Sequence, residues 1–184
     1  FITDMGFETY QKILAEAMEE LGVETGITTR SSNDNFVSDC TIETDQLALI
    51  PDSYIDMTAE KIRIYKELDS LSSDKEAEIL KGKLSDRFGP LPEELIRLFD
   101  IVKIRQTGQK LGFEKIIIKN GVMIAFFISN PLSQYYRSDM FSRILENVSL
   151  NPKLFELKHN DNRLRVFSRN VDSLSKAYSI LKKL

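Results

Sequence analysis

Tryptophan is absent from this 184-residue chain, and cysteine and histidine occur once each. One thiol, Cys40, excludes a disulfide within the chain and any cysteine-cluster metal site. Its neighbours Asp39, Glu43 and Asp45 disfavour a thiolate, so it reads as a buried, inert cysteine. His159 has no second histidine with which to hold zinc. As a lone base it is not matched with a nucleophile, and its position before a turn marks it as a surface or edge-strand residue. Long apolar runs are also missing. The longest, Val122–Ile128, is strand-sized, far short of the ~18 residues that suggest a membrane span. No basic segment followed by an apolar one opens the chain. Neither Gly-x-x-x-x-Gly-Lys-Ser/Thr nor Gly-x-Gly-x-x-Gly occurs, which excludes those two modes of nucleotide binding. No catalytic residue, metal or cofactor is expected, and the low cysteine content suits a cytoplasmic, reducing setting.

Charge is present in quantity and unevenly placed. Residues 1–100 hold 10 Lys+Arg against 22 Asp+Glu, and residues 101–184 hold 15 against 6. The net charge of −3 therefore hides an acidic half and a basic half. The acidic pairs Glu19-Glu20, Glu76/Glu78 and Glu93-Glu94 lie on polar helix faces or first turns, where solvation explains them. The basic half includes Lys158, Arg163, Arg165 and Arg169, a candidate phosphate-binding patch, although aromatic residues among them are few.

Apolar residues at spacings of three and four predict helices over Gly6–Leu21, Thr58–Leu71 and Asp74–Phe88, with a fourth running from Pro92 to Leu111. Residues 22–35 read as a flexible linker. Ser73-Asp74-Lys75-Glu76 is a capping box, and Gly89-Pro90 closes the third helix. Partial alternation over Phe36–Glu43 suits a strand. Asn120-Gly121 predicts a two-residue hairpin between Phe113–Lys119 and Val122–Ile128. A helix, a second hairpin about Asn160-Asp161-Asn162 and a last helix from Asp172 follow. The expectation is an α+β fold. A helical part (36–112) precedes an antiparallel sheet made from two hairpin-helix units (113–184), with helices packed on it. Residues 1–21 are read as a helix following another module, because the chain opens on Phe1 and reads as a piece of something longer.

The stretches Ile50-Pro51-Asp52-Ser53-Tyr54-Ile55, Arg63-Ile64-Tyr65-Lys66 and Asp86-Arg87-Phe88-Gly89-Pro90-Leu91-Pro92, with Arg105 and Lys110-Leu111-Gly112, resemble the C-terminal domain of bacterial transcription-repair coupling factors. Gly6-Phe7-Glu8-Thr9-Tyr10 is similar to the segment after that family's translocase motor. The resemblance implies a non-catalytic regulatory domain within an ATP-dependent DNA translocase that acts in transcription-coupled nucleotide-excision repair. It implies docking on the UvrB-like N-terminal module of the parent chain, and through it an indirect link to UvrA and RNA polymerase. Lys83, Asp86 and Arg87 become the candidate interface residues, with Lys83 standing where the family carries an acid; the alternative is a helix end fixed by packing, with Phe88 in the core, Gly89 as the cap and Arg87 pairing locally. The rival reading is a DNA-contacting module that uses the basic half.

Overall fold

The computed structural model describes residues 36–184. The expected helix over Gly6–Leu21 and the linker over 22–35 lie outside the described residues. Two compact units emerge, one of residues 47–102 and one of residues 36–46 with 103–184.

The first unit is helical. Pro51 opens a turn in which the N–H groups of Tyr54 and Ile55 both donate to its carbonyl at 3.0 Å. Helix α1 (Thr58–Ser70) and helix α2 (Asp74–Phe88) follow, and helix α3 (Glu93–Leu111) contributes its residues to 102. Ser73 caps α2 by accepting the Glu76 N–H at 3.3 Å. The expected reciprocal bond shifts by one residue. The Glu76 carboxylate accepts from the Ser72 N–H at 2.8 Å and from the Ser72 hydroxyl at 2.9 Å. Ser72 offers it two donors where Ser73 would offer one, and these bonds hold the Glu76 carboxyl below its ordinary range. Gly89, at φ +89°, ends α2 with its N–H on the Ser85 carbonyl, and Pro90 prevents continuation. The core joins Ile50, Ile64, Tyr65, Leu68, Leu84, Leu95, Leu98 and Phe99. One charged residue lies with them: Lys61 is 4% exposed and forms an ion pair with Asp52. The buried stripe of α1 therefore runs through Lys61, Ile64, Tyr65 and Leu68, with Ile62 only partly covered.

The second unit holds a five-stranded sheet of order β1-β2-β3-β5-β4. Its strands are β1 (Thr41–Thr44), β2 (Lys115–Lys119), β3 (Val122–Phe126), β4 (Glu156–Asn160) and β5 (Arg163–Arg169). The two hairpins are antiparallel, as their turn residues require: Asn120, Gly121, Asp161 and Asn162 all take positive φ. The sheet as a whole is mixed, because β1 pairs with β2 in parallel. The strand expected over Phe36–Glu43 is thus shorter and shifted, and its partner lies across the three helices that intervene, a crossover that parallel pairing demands. A 3₁₀ turn (Gln134–Arg137), helix α4 (Asp139–Leu150) and helix α5 (Leu174–Leu181) complete the unit.

One face of each central strand is buried and the other is half-exposed, so Ile116, Ile118, Met123, Ala125 and Val166 line the core while Ile117, Ile124, Phe126 and Phe167 line the open face. Gly108, near the end of α3, sits close to this core. A Cβ there would lie 2.7 Å from Cys40 Sγ and 2.8 Å from an Ile116 methyl. Phe113, Phe127, Tyr135, Tyr136 and Phe141 form a ring cluster, and the Tyr135 hydroxyl donates to the Leu111 carbonyl at 2.7 Å.

Candidate docking surface

Most of the signature residues act as staples within their own unit. The buried Ile50 donates its N–H to the Tyr65 hydroxyl at 3.2 Å. Asp52 neutralises Lys61. The Tyr54 hydroxyl lies 3.1 Å from the Leu84 carbonyl and 2.9 Å from the Gly89 carbonyl, so its one proton is shared between two acceptors at the C-terminal end of α2. Its ring packs 5.9 Å from Phe88. Arg105 grips Asp39 with two nitrogens, at 2.7 and 3.1 Å. Gly112 takes φ +85° directly against the Tyr135 ring. The two most specific stretches, Ile50–Ile55 and Asp86–Pro92, are therefore joined by one phenol that fixes where α2 stops. Removing that hydroxyl in Tyr54→Phe is expected to cost about 1 kcal/mol, because the helix-end carbonyls lose the one proton they share. Urea unfolding of both proteins measures it, and an unchanged midpoint would mean that water serves those carbonyls equally well.

With the C-terminal end of α2 so fixed, its outer face is defined. Lys75, Ile79, Gly82, Lys83 and Asp86 recur at helical spacing and are all exposed. Ile79 is 51% exposed, which is unusual for isoleucine on a helix otherwise this polar. Gly82 leaves the space beside it open, for a Cβ there would meet nothing within 4 Å. Lys83 reaches Glu67 of α1 at 3.6 Å, with its own side chain 65% exposed. Asp86 makes no ion pair or hydrogen bond among the described residues. Arg87 points elsewhere. Its guanidinium bonds Glu60 at 2.5 Å and lies 4.8 Å from the Phe88 ring centre. Glu60 also takes Arg63, whose hydrogen bond is the main reason its carboxyl sits below the ordinary range, with Arg87 adding to it. Asp86 and Lys83 thus share an outward face with Ile79, while Arg87 is committed to the α1–α2 contact.

The basic candidates lie in the second unit, on the open face of the sheet. Each has a carboxylate nearby: Lys158 and Arg169 share Glu156 at 3.3 and 3.6 Å, Arg163 meets Glu114 at 2.7 Å, and Arg165 meets Asp161 at 3.8 Å. Arg163 and Arg165 both lie over the Phe126 ring, and Lys158 lies over Phe167. The ring faces that a nucleobase would stack on are therefore already taken by cations. This arrangement does not favour a DNA-contacting module, because three carboxylates offset the four cations and leave a single surplus positive charge where a phosphate backbone calls for several. Pairing across strands was not visible in the list of basic residues. Only the register, which sets Phe126 opposite Arg165 and Lys158 opposite Arg165, brings these groups together.

Other chemistry is sparse. Among the described residues no group of three or more His, Cys, Asp or Glu is placed to hold a metal ion. His159 is exposed on the edge strand β4. Cys40 is fully buried, and burial, with the Asp39 charge adding to it, pushes its thiol up to about 12. A recess among the described residues, lined by Asp139, Met140, Ser142, Arg143 and Glu146, all from α4, is an open groove along a single helix. No helix among the described residues is long and apolar enough to cross a membrane.

Comparison with known proteins agrees with the fold. A family model described as the TRCF domain matches residues 44–138. The transcription-repair-coupling factor of Rickettsia typhi is 33% identical over 172 residues, which is 93% of this chain and 14% of that protein. The Escherichia coli K12 factor is 33% identical over 114 residues, 61% of this chain and 10% of that protein. A crystal structure of the C-terminal domain of a transcription-repair coupling factor aligns with TM-score 0.64 at 19% identity, over 79% of this chain and 91% of that one. The chain therefore spans only a small part of the length of the curated relatives that it matches, and its likeness to the solved domain is one of fold.

Proposed function

The chain belongs to the transcription-repair-coupling factor family, and on that premise we propose that it is a regulatory domain that docks on another module of a longer factor and performs no chemistry itself. The observation that carries this reading is the outer face of α2, where Asp86, which has no ion pair among the described residues, lies on one stripe with a half-exposed isoleucine, Ile79, two turns away. A basic surface with an apolar patch fits both. In the full factor that surface belongs to the UvrB-like N-terminal module. Occupying it masks the UvrA-binding site and restrains the DNA translocase until RNA polymerase is engaged.

The energetics suit a switch. One exposed ion pair contributes ~0–1 kcal/mol, so Asp86 alone holds nothing. Burying Ile79 adds about 1–2 kcal/mol. A contact built from a few such terms is releasable by a competing partner. Lys83 stands where the family carries an acid, and its pairing with Glu67 at 3.6 Å offsets part of its charge on the face. Docking therefore tolerates it.

Deleting this domain from the full-length factor is expected to raise both UvrA binding and basal ATPase by roughly tenfold, the yield of a docking free energy near 1.4 kcal/mol. The double substitution Ile79→Ser/Asp86→Lys is expected to reproduce most of that rise with the domain still folded. Should the deletion change neither quantity, the regulatory reading falls. Should the deletion act while the double substitution does nothing, docking uses a different face.

A further inference from the structure

The sheet contains an internal two-fold relation that its fifth strand breaks. Adding 41 residues to each position of the first hairpin gives its counterpart in the second: the Lys119↔Val122 pair becomes Asn160↔Arg163. The same shift converts the Ile124↔Phe167 pair between hairpins into Phe126↔Arg165, and leaves Ala125↔Val166 paired with itself. The relation is therefore centred on the Ala125–Val166 pair. The turns follow it, with Asn120 and Gly121 at φ 52° and 72° matched by Asp161 and Asn162 at 51° and 57°. Strands β2 and β4 are equivalent under this relation, as are β3 and β5.

The equivalence stops at the outer edges. β1 lies along the outer edge of β2, in parallel, with Ile42 opposite Ile116 and Glu43 opposite Ile117. The counterpart edge of β4 carries no strand among the described residues. The consequence shows in exposure. Ile116 of β2 is 0% exposed, while its counterpart Leu157 is 40% exposed. Four of the five β4 residues are exposed, and the outward backbone N–H and C=O groups of an edge strand are a template for further pairing.

We infer that the outer edge of β4 is a docking site for an extended segment of a partner protein, which adds as a parallel sixth strand in the place that β1 occupies on β2. The register carries over with the two-fold relation. The residue of the partner opposite Leu157 corresponds to Ile42 and is apolar. The next residue, opposite Lys158, corresponds to Glu43 and is acidic. On β2 that carboxylate reaches Lys115 and Lys119 at 2.5 and 3.4 Å. The positions that correspond to Lys115 and Lys119 are Glu156 and Asn160, so on β4 the cations are instead Lys158 itself, with Arg165 and Arg169 behind it on β5; Glu156 serves both Lys158 and Arg169, and Asp161 faces Arg165. Three cations face two carboxylates, so one positive charge is in surplus and an acidic residue opposite Lys158 is the complement. A second copy pairing antiparallel through β4, centred on Lys158, sets that lysine against itself, which opposes a homodimer at this register. This site lies on the second unit and stands or falls separately from docking through α2.

The probe is a synthetic peptide with the sequence of residues 37–46 of this chain, serine replacing its cysteine, titrated into the full ¹⁵N-labelled chain. Amide shifts are expected to concentrate in residues 156–160. A spin label on the peptide N-terminus should broaden Glu156 more than Asn160, the mark of parallel addition. Changing the peptide glutamate to lysine should weaken binding at least fivefold, and Lys158→Glu in the protein should weaken the original peptide similarly while strengthening the lysine peptide. N-methylation of alternate peptide amides should abolish binding with the side chains unchanged. No shift at millimolar peptide, shifts centred on residues 115–119 instead, or equal binding of the N-methylated peptide would each overturn the assignment. Asp86→Lys, in the other unit, should leave the titration unchanged, and a change would refute the independence of the two surfaces.

Discussion

Gly112→Ala is expected to destabilise this chain by about 2–5 kcal/mol, more than any other single-methyl addition in the described structure. Two costs coincide there. At φ +85° a Cβ is strained against its own backbone, worth ~1–2 kcal/mol. The same Cβ would also stand 2.3 Å from the Tyr135 ring. That ring cannot retreat. It is fully buried, its hydroxyl is held by the Leu111 carbonyl, and Phe36, Phe127, Tyr136 and Phe141 surround it. Overpacking of this kind adds ~1–3 kcal/mol. Gly121 provides the control. It too has a positive φ, +72°, but a Cβ there would meet nothing within 4 Å. Gly121→Ala should therefore show the strain alone, about 1–2 kcal/mol. Urea midpoints of the two variants separate the terms, and equal losses at the two glycines would show that the Tyr135 contact carries no energy.

Alkaline pH should unfold the chain earlier than its ordinary composition suggests. Burial pushes the Cys40 thiol from 9.0 up to about 12, with Asp39 adding to the rise and Arg105 opposing it. Burial likewise raises Tyr135, Tyr54 and Tyr136 above the usual tyrosine value of 10.0. All four groups keep their protons in the folded chain at a pH where the unfolded chain gives them up. Where the native state binds more protons, stability falls as pH rises. The loss begins near pH 9 with Cys40 and steepens above pH 10 as the tyrosines join it. Cys40 alone accounts for about 3 kcal/mol by pH 11, at ~1.4 kcal/mol per unit. Cys40→Ala should delay the onset to about pH 10, and Tyr135→Phe should flatten the limb beyond it. Urea unfolding followed from pH 7 to 11 gives the curve, and a wild-type profile that matches Cys40→Ala throughout would remove the thiol from the account.

The elements that the sequence made legible are those decided within a few residues. Ser73 as a helix cap, Gly89-Pro90 as a helix stop and Asn120-Gly121 as a hairpin turn each follow from the torsions or hydrogen bonds of one residue, and the structure has all three. The repeated hairpin-helix order was readable for the same reason. The burial of Lys61 was not, because apolar spacing places a lysine outside and only Asp52, nine residues earlier, makes its burial tolerable. The candidate surface was half legible. Helical spacing puts Lys83 and Asp86 outward, but the commitment of Arg87 to Glu60, 27 residues away, and the exposure of Ile79 depend on where α1 lies.

By itself the sequence determined the local alphabet of this domain: where helices begin and stop, where the chain reverses, and that no cysteine or histidine pair is at hand for chemistry. Only the tertiary structure decided which strands meet. β1 joins β2 in parallel across a crossover that holds three helices, and among the described residues β4 is left with a bare edge. The physical reason is range. Torsions and caps are settled by neighbours in the chain, whereas strand order and the pairing of charges are settled by the shared burial of faces that no short window of sequence contains.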